Sequence, residues 1–179
     1  KSKVGVKRLK NSLITLKMPW HLFNYQEILF ANLRSFQAKN AVIAPTAIID
    51  ESNGAVFIDK KAKIGDFVKI SGPCYIGRDC LVGDYSFVRG VAMEEGSTIG
   101  AKTEVVRSII MNDSSLHFGY LADSIIGPKN KIGAGLITAN KRLDRQPIKT
   151  LLKDTKTDTG LKTLGIITGE GVNIGIGVK

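Results

Sequence analysis

The chain has 179 residues, 43% of them hydrophobic, 19 glycines and a formal net charge of +10, which suggests one domain able to bury a core. No apolar run approaches the ~18 residues that span a bilayer, and no apolar core follows the basic start KSKVGVKRLK, so neither a membrane partner nor a secretory signal is predicted and a cytoplasmic location is the default. The cations are dispersed and not interleaved with aromatics, so no nucleic-acid partner is expected; a phosphate-bearing ligand in a focused pocket fits the charge better.

Residues 1–18 alternate apolar positions (Val4, Val6, Leu13) and predict one or two strands. Pro19 then opens a stretch in which Leu22, Phe23, Ile28, Leu29, Leu33 and Phe36 recur at helical spacing. Proline suits a first helical turn, where its missing N–H would go unpaired anyway. A helix over 19–40 is therefore predicted, with His21 as a structural residue in it.

From about residue 41 to the end a six-residue beat takes over. Aliphatic residues recur at Ile58, Ile64, Ile70, Ile76 and Val82, then at Ile99 and Val105, Ile110 and Leu116, and Ile126 and Ile132. Several are followed directly by glycine, as at Gly65, Gly83 and Gly100, and small or slender residues such as Cys74, Cys80 and Ser86 sit four positions on. A period of six never builds one face of a helix at 3.6 residues per turn. It predicts an all-β solenoid of stacked short parallel strands, with glycine relieving crowding and permitting unusual backbone angles at corners. The two cysteines share one small slot of successive repeats, which makes them buried corner fillers; no CxxC or histidine-rich partner argues for a metal.

The beat breaks twice. VRGVAMEEGST, around 88–98, is read as a lengthened corner or small protrusion. Residues 141–163 are basic and threonine-rich with no beat, and are read as a long excursion from one corner. The beat returns in GIITGEGVNIGIGVK, and because solenoid ends ordinarily carry caps, further coils or a cap are expected beyond residue 179.

The stretch 107–140 contains His117, Tyr120, Asp123, Ser124, Ile126-Gly127, then Ile132-Gly133-Ala134-Gly135, Thr138 and Asn140. This resembles the H-x-x-Y-x-x-D-S/A-x-I-G and I-G-A-G-x-I-T-x-N signature of sugar-1-phosphate nucleotidyltransferases with a C-terminal left-handed β-helix. The closest likeness is to the bifunctional enzymes that acetylate glucosamine-1-phosphate and attach a nucleotide to the product. MPWHLFNYQEIL resembles the helix that joins the two domains of that family, so residues 1–18 would be the last strands of a nucleotidyltransferase domain and 41–179 the β-helix.

The resemblance implies acetyl-CoA as donor, a sugar-phosphate substrate and a homotrimer with sites in the clefts between subunits. It makes His117 the catalytic base for a sugar amine and Tyr120 a substrate contact. Arg89 would grip the sugar phosphate, Asn140 would lie near the amine or acetyl group, and Lys131 stands where a sugar-contacting asparagine is expected. Val106 replaces the lysine of the family's E-V-K-N-S run. Val106 and Lys131 keep a second reading open, a non-catalytic module that trimerises a nucleotidyltransferase or senses its product.

Overall fold

A computed structural model describes residues 15–152 and 154–179. Strands of two or three residues recur three to a coil, and each pairs in parallel with its counterpart one coil on. The first face climbs through Val56–Ile58, Cys74–Ile76, Ala92–Met93, Ile109–Ile110 and Ile125–Ile126. The second climbs through Lys63–Ile64, Leu81–Val82 and Thr98–Ile99, and the third through Lys69–Ser71, Phe87–Arg89 and Glu104–Val106. The strand Ser115–Ala122 runs unbroken round the corner between the second and third faces and pairs with both Thr98–Ile99 and Glu104–Val106. The result is a parallel β-solenoid of hexapeptide repeats, as the beat predicts.

Three aliphatic ladders fill the interior. Ile58, Ile76, Met93, Ile110 and Ile126 come from the first face, Ile64, Val82, Ile99, Leu116 and Ile132 from the second, and Ile70, Val88, Val105 and Leu121 from the third. Each side chain removed from water in this way contributes roughly 1.5–3 kcal/mol. Cys74 and Cys80 fill corners as expected, fully buried, with their thiols on the carbonyls of Ser71 and Glu94.

The corner glycines act differently from the expectation. Gly65, Gly83 and Gly100 do not adopt positive φ; a Cβ on any of them would collide with the next coil. The left-handed backbone falls two residues later, on Phe67, Tyr85 and Lys102, and likewise on Asp79, Asp113 and Lys129 at another corner. Glycine is needed there for close stacking, and the turn itself is made by residues with side chains.

The segment 88–98 is no protrusion. Val88 and Met93 are consecutive ladder residues, and the corner between them is one residue shorter than six. Gly90 makes the tight turn at φ +63, and Arg107 and Asp123 make the same turn one and two coils on, at φ +43 and +50. The beat is compressed to five, which moved Met93 out of the period-six series.

The N-terminal helix is shorter than its periodicity suggests. A 3₁₀ turn at Pro19–His21 leads into an α-helix at Leu22–Ala31. Asn32 stops it: its amide N–H donates to the Leu29 carbonyl, the Leu33 amide to the Phe30 carbonyl, and the Asn32 side chain to the Ile28 carbonyl at 2.8 Å. Phe36 already belongs to the first strand, Phe36–Gln37, where its ring stacks on Phe57, and Phe57 on Tyr75. A recurring aromatic ladder on the outer sheet face thus outweighed helical spacing. Gln26 anchors the helix across the tight corners by donating to the Gly90 and Ser108 carbonyls. Of the strands expected over 1–18, residues 1–14 lie outside the described residues and 15–18 are irregular.

The excursion contains an antiparallel hairpin, Lys149–Leu152 with Thr155–Asp158. The coil then resumes, with Ile167 bridging Ile125 and Asn173–Ile174 pairing with Lys131–Ile132. No described helix is long and apolar enough to cross a membrane.

Candidate active site

His117 directly follows the ladder residue Leu116. In the same slot stand Ala44 in the first coil and then Gly65, Gly83, Gly100, Gly133 and Gly175. His117 is therefore the one imidazole in a column of glycines, and the glycines above and below leave the space around it open. The local backbone differs as well. Leu116 and Leu121 are ladder neighbours five residues apart, and the strand Ser115–Ala122, like Lys131–Ile137 of the next coil, flattens the corner where the preceding coils make a closed turn. Gly119, at φ +154, lies so close to Leu136 that a Cβ would strike its carbonyl.

His117 is exposed and lines an open groove of about 950 Å³ along this corner. Lys131, from the adjacent strand, lines the same groove with Lys102, Phe118 and Ile176. Among the described residues, the His117 side chain has no hydrogen-bond or ion-pair partner, which leaves both ring nitrogens available to a ligand. A cationic and basic pair in one groove can take an anionic substrate and accept a proton from it.

Tyr120 lies three residues on from His117, on the third face, directly opposite Glu104 in the sheet. Glu104 in turn holds Arg89 of the preceding coil, with the guanidinium Nη2 at 2.8 Å and the Arg89 cation over the Phe87 ring. Phe87, Glu104 and Tyr120 form one file across three coils, and Arg89, two residues along from Phe87, reaches Glu104 diagonally. Neither Arg89 nor Tyr120 lines the groove of His117 within the single chain.

Asn140 is at a different corner. Its side-chain amide donates to Asp123 at 2.5 Å. Asp123 also receives Arg107 through Nε and Nη2, at 2.7 and 2.8 Å, and the Thr163 hydroxyl at 3.0 Å. This ion pair raises the already high pKa of Arg107 further. Asp123 stood in the signature without a role, and only its four hydrogen bonds reveal it as a hub. Val106 is 1% exposed, so the site of the family's lysine is here an apolar, enclosed position.

No protein-family model matches the chain. Among curated proteins it is 35% identical over 99 residues to the bifunctional protein GlmU of Methanocaldococcus jannaschii, covering 54% of this chain and 24% of that protein. It is 31% identical over 164 residues to the bifunctional protein GlmU of Methanococcus aeolicus, covering 90% of this chain and 38% of that protein. It is also 35% identical over 142 residues to the uncharacterized acetyltransferase YaiX of Escherichia coli O6:K15:H31, with coverages of 78% and 62%. The chain spans less than two thirds of the length of each of these relatives. By repeat, by fold and by these identities, it is a hexapeptide-repeat β-solenoid similar to the C-terminal part of the GlmU proteins.

Proposed function

We propose that this β-helix is an acyl-CoA-dependent N-acetyltransferase acting on an amino-sugar-1-phosphate, within a longer cytoplasmic enzyme of sugar-nucleotide synthesis. The observation that carries the reading is His117, set in a column of glycines and facing an open groove shared with Lys131.

Acetyl transfer requires a neutral amine, because an ammonium has no lone pair. His117 accepts the proton as the sugar nitrogen attacks the thioester carbonyl; the carbon–sulfur bond breaks, and the proton leaves with the thiol. Lys131 is suited to the sugar or its phosphate. Arg89 and Tyr120 sit one face away, and Asn140 at another corner, so a single chain does not gather all five residues. A homotrimer, in which one subunit's third face meets another's groove, would bring them together.

The test is thiol release from acetyl-CoA with glucosamine-1-phosphate, using the full-length protein. His117→Ala is expected to lower turnover by about 10²–10⁴-fold without altering the oligomer; undiminished turnover sinks the reading. Val106 and Lys131 favour the second reading, a non-catalytic module that trimerises or senses product. Turnover on any amino-sugar phosphate would remove it.

A further inference from the structure

The net charge of +10 is unevenly placed. Residues 41–140 hold 10 basic and 11 acidic side chains, whereas 141–163 hold seven basic and three acidic ones. The coils are close to neutral, and the excursion is a concentrated cation.

We infer that the excursion carries an anion site of its own, for a diphosphate group, and that Asp123 is the positioning residue that fastens this site to the solenoid. The pocket encloses about 450 Å³ and is lined by Arg142, Gln146, Pro147, Lys149, Lys156 and Asp158. Its three cations come from three backbone segments. Arg142 lies before the hairpin, and its guanidinium is held in place by Asp144 through Nε at 2.8 Å and Nη2 at 2.5 Å. Lys149 and Lys156 lie on the two hairpin strands. The register sets Lys149 opposite Asp158 and Lys156 opposite Leu151, so both lysines project from one exposed face as diagonal neighbours. Asp158 and Asp144 balance only part of this charge, and cations that line one pocket repel one another less once an anion lies among them. The space is several times that of one phosphate group, and cations on three sides suit two linked phosphates.

A two-stranded hairpin is marginally stable alone, so its cations are useful only if the excursion is held. Asp123, whose side chain is 6% exposed, does this at the root. It binds Asn140 where the excursion leaves and Thr163 where it returns, while Arg107 of the preceding coil neutralises it. Lys141 bridges Thr163, the Leu164 amide donates to the Asn140 carbonyl and the Gly165 amide to the Asp123 carbonyl, closing the loop. The clasp is built from side chains that touch neither His117 nor its groove.

Calorimetry of the full chain with inorganic pyrophosphate, orthophosphate and ADP tests this without any acyl donor, so its failure is separate from failure of acetyl transfer. Pyrophosphate is expected to bind more tightly than orthophosphate, and Lys149→Ala with Lys156→Ala to weaken it about tenfold or more. Asp123→Asn, and independently Asn140→Ala with Thr163→Ala, keep every pocket cation. Each is expected to weaken binding about fivefold and to speed tryptic cleavage in 141–163, with the global unfolding midpoint of the Asn140/Thr163 variant nearly unchanged. ADP binding more tightly than pyrophosphate points to a nucleotide as the natural source; equal binding points to the free diphosphate. Orthophosphate binding as tightly as pyrophosphate, lysine variants that bind normally, or clasp variants with normal affinity would overturn the inference.

Discussion

Gly100 lies one coil from His117, with its amide N–H on the Leu116 carbonyl at 2.7 Å and no room for a Cβ against the His117 carbonyl. The coil bearing the histidine is seated on a bare backbone, and this contact sets the height at which the imidazole enters the groove.

Gly100→Ala is therefore expected to push the His117 coil outward. Overpacking of this kind costs roughly 1–3 kcal/mol. Chemical denaturation should register the loss, while Ala101→Gly, next along the same corner and exposed, should change stability far less.

Met93 is fully buried between Ile76 and Ile110 in the first-face ladder. Met93→Ala should cost about 2–5 kcal/mol through lost burial and a residual cavity. Inserting one residue after Gly90 restores the spacing of six that the preceding coil has at this corner, Ile70 to Ile76, but breaks the stack of tight turns at Gly90, Arg107 and Asp123. If the five-residue corner is the native one, the insertion is the more damaging change, and thermal unfolding ranks the two.

Burial pushes the thiols of Cys74 and Cys80 up to about 11, from 9.0 for an ordinary cysteine. A group whose folded pKa is raised stabilises fully below its unfolded pKa, and that contribution fades as pH rises past it. Stability should thus fall as pH climbs from about 9 towards 11, and Cys74→Ala with Cys80→Ala should flatten that decline. Below this range both thiols should resist Ellman's reagent in the native protein and react on unfolding.

Much of this fold is legible from one number, the period of six. Every aliphatic residue in the series falls on an interior ladder, because a side chain pointing inward once per hexapeptide has only the core to meet. The corners were less legible. Val88 to Met93 looked like an interruption because a corner one residue shorter shifts the count without breaking the stack. Phe36 looked helical because spacing alone cannot reveal a ring waiting on the neighbouring strand.

The site divides in the same way. His117 was visible as a histidine in a signature, and the register of the beat already placed it in a glycine slot. Its shared groove with Lys131 follows from strand pairing, which a linear pattern does not show. The Asp123 clasp was hidden altogether, since Arg107, Asn140 and Thr163 are separated from it by 16, 17 and 40 residues. The repeat by itself determined the scaffold, because periodic burial is a local property of the chain. Only the tertiary structure decided which polar side chains meet, because their partners are set by coil stacking and by the path of the excursion back to Asp123.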